Sequence, residues 1–550
     1  MKPIREKPEE IFKEVDQGKG YKTTIDLFET VKRNEAFYTG DQWRGMQAET
    51  PDLLLVQLNF LQRVCAMFIS KVVSDDIAAN LTALKNAKAQ ENTLRTISGE
   101  IEAVFELLEL KRQNRQHVRD AIVDGDTAAF FWFDADAPTG QAAKGAIRSE
   151  IVENINVIFG NPYSSRVEEQ PYIIVLLRKP LDEMKDEARK NGIPESDINN
   201  ILPDSDDNQE EEGDDNTLVT VAVKLWKDPK SGSVQAIKTT EHCLIRGKWD
   251  TLMRRYPLAW MSWEKIRNSY HGRSAITGLI PNQIALNKTY TSIVTQIRNT
   301  SFPKLIYSDQ VKEWDPSPAK AIKVPGTIDI SKVATYLQGA PVNPSVTNVM
   351  DSMLSLTRDC MGVSDATMGN VRPENAAAII ALQTADNYPI ELHRQEFYAF
   401  VEAQVRIIID MMRAYYGKRQ IVIETVNQMT GEVEEQEKTF EFSTLTDENV
   451  KVRVDIGASS YWSETMQVQT LNNIFTSGVM NDPEAFELFL QVMPDKYVPH
   501  KQKLIDFAKR HQQQTAPEPV DQQNDAAARL AGAAAGSGAA GGGMPPYAQY

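Results

Sequence analysis

Cysteine is scarce in this chain, with three in 550 residues. Cys65, Cys243 and Cys360 lie far apart, so no disulfide framework is expected and a reducing compartment is. Such thiols most often serve as small buried hydrophobes. Long apolar runs are also missing. No stretch approaches the ~18 residues a membrane span needs. The opening MKPIREKPEE has no apolar centre, so no signal peptide is expected. The chain reads as soluble and intracellular where it is made. Histidines are few: His117, His242, His271, His393, His500 and His511 form no H-E-x-x-H or other zinc spacing. His393, beside Glu391 and Arg394 on a helix, reads as a surface or interface residue. GKGYKTT at 18–24 lacks the G-x-x-x-x-G-K-[ST] spacing and follows no buried strand, which excludes a phosphate loop. There is no G-x-S-x-G elbow, no cysteine-protease signature and no carboxylate pair marked as catalytic. No catalytic residue, cofactor or metal site is therefore expected, and a scaffold or machine part is favoured over an enzyme.

Positive charge is in deficit. Lys and Arg number 60 against 76 Asp and Glu, a net charge of −16. A protein that clamps nucleic acid by neutralising phosphates is usually basic. One that only surrounds DNA and lets it slide need not be. Eight acids crowd 204–215: Asp204, Asp206, Asp207, Glu210, Glu211, Glu212, Asp214 and Asp215. That run repels itself and reads as a disordered surface insertion; a divalent-ion site stays open there, though the spacing lacks EF-hand order. A 41% hydrophobic, 25% charged composition is ordinary for globular proteins, and this length accommodates several modules.

What is present is mostly helical periodicity with short strands between. Helices are expected over 23–34, 53–73, 94–119, 180–192 and 462–511, and strands at 128–135, 149–159, 172–178, 218–226, 236–244, 420–426, 437–442 and 450–455. Two rods stand at the centre. In 281–299, Pro281 suits a first turn. Leu286, Tyr290, Ile293, Val294 and Ile297 form its apolar stripe, with Asn287, Lys288, Thr291, Thr295 and Arg298 on the other face. In 345–361, Asn343 and Pro344 offer a cap and a first residue. A third helix, 375–416, carries Asn387-Tyr388-Pro389, which should kink or break it, and Gly417, which should stop it. Beyond Gln512 the chain is rich in Gln, Ala and Gly and reads as a disordered tail.

Three stretches, in this order, resemble the portal proteins of tailed bacteriophages. NEAFYTGDQW, 34–43, is similar to that family's aromatic FY-GDQW element. YHGRSAITGLIPNQIALNK, 270–288, resembles the lead-in to the family's first stem helix, with its Gly, Gln and Leu-Asn. MGNVRPENAAAIIALQ, 368–383, resembles its loop-to-helix segment. Ala376-Ala377-Ala378 stand where many members have Ser-Gly, which raises helix propensity there. By order of elements the resemblance spans about 25–460.

The resemblance implies an α+β portal fold, mostly helical, with small β-sheets in the wing and clip, a two-helix stem, a long kinked helix and a helical crown. It implies a wing at 1–270 completed by 417–461, stem helices at 271–299 and 345–361, and a clip at 300–344. A tunnel loop falls at 362–374, the kinked helix at 375–416, a crown at 462–511 and a tail at 512–550. It further implies a homo-oligomeric ring of twelve at one capsid vertex of the virion, assembled in the host cytoplasm. Double-stranded DNA would pass through without sequence specificity, driven by the terminase large subunit. A head–tail adaptor, capsid and scaffolding proteins would be the other partners, and no membrane.

Two candidate sites follow from this resemblance. Lys304, Lys312, Lys320 and Lys323, with Glu313, read by themselves as a solvated surface, and the resemblance makes them a docking face. Ser364, Asp365, Thr367, Met368, Asn370 and Arg372 read by themselves as an ordinary surface connection. The resemblance aims them at the ring axis, where Arg372, the one cation of that loop, could touch phosphate transiently. On residues alone, a multidomain enzyme with an unrecognised site and a generic helical adaptor also stay open.

Overall fold

The chain enters its first helix at Pro8, where a missing N–H costs nothing because first-turn donors have no intrahelical partner. This computed structural model describes residues 5–43, 55–73, 77–83, 88–139, 144–204, 217–301, 304–307, 334–337, 344–360, 376–426, 433–444 and 450–456. The helix predicted over 23–34 is instead the junction of two, α1 (Pro8–Thr24) and α2 (Leu27–Thr39). Asp26 breaks the ladder there by taking φ 56°. α3 (Phe60–Val72) is shorter than the apolar run 53–73 predicts, since 55–59 stays out of the helix. β1 (Ile77–Ala83) follows. The helix predicted over 94–119 is also two, α4 (Lys88–Leu107) and α5 (Leu110–Asp124), divided at Glu109 with φ 50°.

Next come β2 (Asp126–Asp134), β3 (Ala146–Val152), β4 (Val157–Phe159), β5 (Ile173–Pro180), α6 (Leu181–Lys190), α7 (Glu195–Ile198), β6 (Leu218–Lys227), β7 (Val234–Thr239), β8 (Leu244–Asp250) and β9 (Leu258–Ser262). They make two antiparallel sheets, one ordered β3-β2-β9 and the other β4-β5-β6-β7-β8. The strand predicted over 149–159 therefore splits between sheets, with a turn of 3-10 helix at Asn154–Asn156. The strand predicted over 236–244 ends at Thr239, and a turn closed by Thr240 N–H on the Cys243 carbonyl (2.8 Å) leads to β8.

β2 divides the interior. Its Ala129 and Phe131 face a helical core with Val64, Phe68, Val118, Phe397 and Val401. Its Ala128 and Phe130 face a second core with Val175, Leu225, Tyr256 and Tyr270. β5 is buried on both sides, which is why Ile173–Leu177 reads as one unbroken apolar run. Ile174 and Leu176 pack under Ile11 and Val15 of α1, each fully buried aliphatic chain contributing ~1.5–3 kcal/mol.

The remainder is α8 (Ile280–Ser301), β10 (Lys304–Tyr307), β11 (Ala334–Leu337), α9 (Pro344–Cys360), α10 (Ala376–Met411), β12 (Lys418–Val426), β13 (Val433–Glu441) and β14 (Val450–Ile456). α10 runs through Pro389 unbroken, at the expense of one ladder bond. A π-helical turn, Met412–Tyr416, ends it at Gly417. Asp410 secures this end: its buried carboxylate accepts the N–H groups of Arg254 (2.7 Å) and Arg255 (2.9 Å) and pairs with Arg413 at 2.7 Å. β12 pairs with β13, and β14 returns to pair with β1. The fold is α+β, with small antiparallel sheets among long helices. Met1–Gly457 forms one compact unit. Ala458–Tyr550 forms a second, which lies outside the described residues, as do the helices expected at 462–511 and the tail beyond 512.

Candidate functional site

α8 and α9 form an antiparallel pair. Asn282, early in α8, donates through Nδ2 to Thr357 Oγ1, late in α9, at 3.3 Å. At the other end the chain crosses between them through the β10–β11 ribbon, in which Lys304 opposes Leu337 and Tyr307 opposes Ala334. The 22 residues of α8 make a rod of ~33 Å. Ile297 on α8 and Val349 and Leu356 on α9 are 50%, 56% and 62% exposed. Burial of these apolar side chains requires something beyond this pair.

The polar face of α8 beside its apolar stripe is not a solvent face. Gln283, Asn287 and Thr291, four residues apart, are buried against 56–61. Thr291 Oγ1 accepts the Val56 N–H (3.1 Å), Asn287 Oδ1 that of Leu58 (3.1 Å), and Gln283 Oε1 that of Leu61 (3.4 Å). Gln283 Nε2 donates to the Leu58 carbonyl and to Asn287 Oδ1. Asn287 Nδ2 donates to Gln42 Oε1 at 2.5 Å, and Gln42 Nε2 to the Phe37 carbonyl (3.1 Å) and Asn59 Oδ1 (3.0 Å). Trp43 Nε1 donates to the Val56 carbonyl at 3.2 Å. The GDQW and IALNK motifs, distant in sequence, are thus one buried amide network.

A second buried network holds the approach to α8. Asp126, at the start of β2, accepts His271 Nδ1–H at 2.9 Å and the Gly272 N–H at 2.7 Å. Burial lowers the His271 pKa, against the pull of Asp126. Lys22, fully buried, donates to the carbonyls of Asn154 (3.0 Å), Ile155 (2.7 Å) and Val157 (2.7 Å). Burial brings its pKa down to about 7, with Asp126 opposing. The lysine of the excluded phosphate loop is therefore a tie between α1 and the 154–157 turn. His117, packed edge-on to Phe400, meets Thr127 Oγ1 at 2.7 Å, and burial drops its pKa to about 3. Asn34 Nδ2 donates to the Val123 carbonyl and Thr277 Oγ1, both at 2.8 Å.

Of the sequence-predicted site residues, Lys304 opens β10. Lys312, Glu313, Lys320 and Lys323 lie outside the described residues, as do Ser364, Asp365, Thr367, Met368, Asn370 and Arg372. Of the acidic run only Asp204 is described, and it accepts the N–H (3.0 Å) and hydroxyl (2.7 Å) of Thr220. His393, expected as a surface or interface residue, is half-buried and stacks on Trp263 at 4.0 Å. Cys65 and Cys243 are buried free thiols. Gln42, Gln283, Asn287 and Thr291 were not expected at a site. Their signal is a run of neutral amides and hydroxyls at four-residue spacing, with the charges Lys288 and Arg298 displaced to an exposed face.

Among the described residues no cluster of His, Cys, Asp and Glu is built to hold a metal ion, and no helix is long and apolar enough to cross a membrane. The family described as Phage P22-like portal protein matches residues 196–540, well over half of the chain. The match starts after the GDQW motif and takes in α8, the ribbon, α9 and α10. No curated protein matches.

Proposed function

Because the chain belongs to the P22-like phage portal protein family, we propose that it assembles as a ring of twelve at one capsid vertex. Terminase drives double-stranded DNA inward through the axial channel, the same channel releases it on ejection, and the tail attaches below through an adaptor. The family is structural, a component of the virion capsid. The observation that carries this reading is the family match across 196–540, over a helix pair that leaves Ile297, Val349 and Leu356 in water. A ring covers such surface by repeating one contact between neighbours.

In this reading α8 and α9 are the stem, 300–344 the clip and 362–374 the tunnel loop. The wing is 1–270 with 417–461, α10 bridges channel and wing, the crown is 462–511, and the tail is 512–550. Lys304, Lys312, Glu313, Lys320 and Lys323 take part in docking terminase and, later, the adaptor. Ser364, Asp365, Thr367, Met368, Asn370 and Arg372 face passing DNA. One arginine per subunit gives contacts weak enough to release, and the net charge of −16 opposes a lasting grip on a polyanion.

The test is assembly. Twelve copies of a 61.8-kDa chain weigh about 740 kDa and should appear in negative stain as a ring with a central hole. A chain that scatters light as a monomer over a wide range of concentration and salt would refute it.

A further inference from the structure

We infer that Gln283, Asn287 and Thr291 of α8, with Gln42, are positioning residues that set the rotation of α8 about its own axis and so the angle at which one subunit meets the next. This rests on the ring proposed above. The match of repeats is what makes the network directional. Four helical residues advance ~6 Å and two extended residues ~6.6 Å, so acceptors every fourth residue on α8 can meet alternate N–H groups of an extended segment. Thr291 meets Val56 and Asn287 meets Leu58 in that register, and Gln283 reaches Leu61 where α3 begins. The helix stands in for a neighbouring strand.

Apolar packing alone would leave this rotation loosely set. The buried apolar residues of α8 are Ile280, Leu286 and Ile293, matched by as many buried polar ones. Turning α8 by one residue, ~100°, would carry the amides and hydroxyl away from the N–H groups they satisfy. Buried N–H groups left unpaired are expensive, so one rotation is selected. Ile297 rides on the same helix, and α9 is tied to it by Asn282 and Thr357. The rotation therefore decides where the exposed apolar side chains of the pair point, and hence the angle between neighbours.

The test compares Thr291→Val and Asn287→Leu, which remove acceptors, with Thr291→Ser, which keeps the hydroxyl. Native mass spectrometry of the assembled full chain counts subunits. The unaltered chain and Thr291→Ser are expected to give one ring size. Thr291→Val and Asn287→Leu are expected to give mixed ring sizes or open arcs, with the Val56 or Leu58 amide exchanging deuterium about tenfold faster. Ile237→Ala, in the core under α1, should lower the melting temperature yet leave ring size uniform, which separates positioning from stability. If Asn287→Leu does not fold, the Thr291 pair decides. Uniform rings from Thr291→Val, or an unchanged Val56 amide, overturn the inference and leave the ring standing. An unaltered chain that never forms a ring overturns the assembly reading and this inference with it.

Discussion

Lys22 shows how one residue can carry a fold-wide constraint without any part in chemistry. Three carbonyls at 2.7–3.0 Å call for three donors, which only the ammonium form has. Burial works against that form and brings its pKa from 10.5 to about 7. Between those values the unfolded chain binds more protons at this site than the folded chain. The contribution of Lys22 to stability therefore rises with pH across that window, by up to ~1.4 kcal/mol per unit. Chemical denaturation from pH 7 to 9.5 should show the unaltered chain gaining on Lys22→Met as pH rises. Parallel slopes would mean that the three carbonyls hold the proton in place. His117 follows the same sign: neutral and buried, with a pKa of about 3 against 6.5, it loses stability as pH falls below 6.5.

At the scale of elements, the α5–β2 corner is a close backbone junction. Gly125 ends α5 at φ 98°, and a Cβ there would lie 3.0 Å from the Gly272 carbonyl oxygen and 3.1 Å from the Ser274 nitrogen. Gly192, after α6, has φ 77° but open space around it. Gly192→Ala should cost about 1–2 kcal/mol from backbone conformation alone. Gly125→Ala adds a clash with the backbone leading into α8 and should cost distinctly more. Equal shifts in melting temperature would refute the distinction. Elements of this kind were legible unevenly. α8, α9 and α10 announce themselves by apolar periodicity, with prolines at the first turns of the pair. The breaks at Asp26 and Glu109 were hidden, because a single left-handed residue leaves the apolar spacing on either side intact. β1 was hidden because its partner, β14, comes from the far end of the described chain. The amide network was hidden for a different reason: Gln283, Asn287 and Thr291 look in sequence like a wetted face, and only the backbone donors of 56–61 make them a buried one.

For the whole molecule, the separation of helices from ribbon makes a further outcome testable. Deleting 310–323 removes Lys312, Glu313, Lys320 and Lys323 and leaves β10, β11 and both helices in place. Rings should still form, and DNA packaging should be abolished. Normally filled heads from that variant would refute the docking role. Tyr307 and Ala334, the residues between which 308–333 is strung, are register partners, with Cα atoms of such pairs ~5 Å apart. Any peptide whose ends meet at that spacing can replace the segment without asking the helices to change. On the proposed docking role, such a segment could be exchanged by recombination at a two-residue seam, leaving docking specificity and ring geometry to evolve on separate schedules.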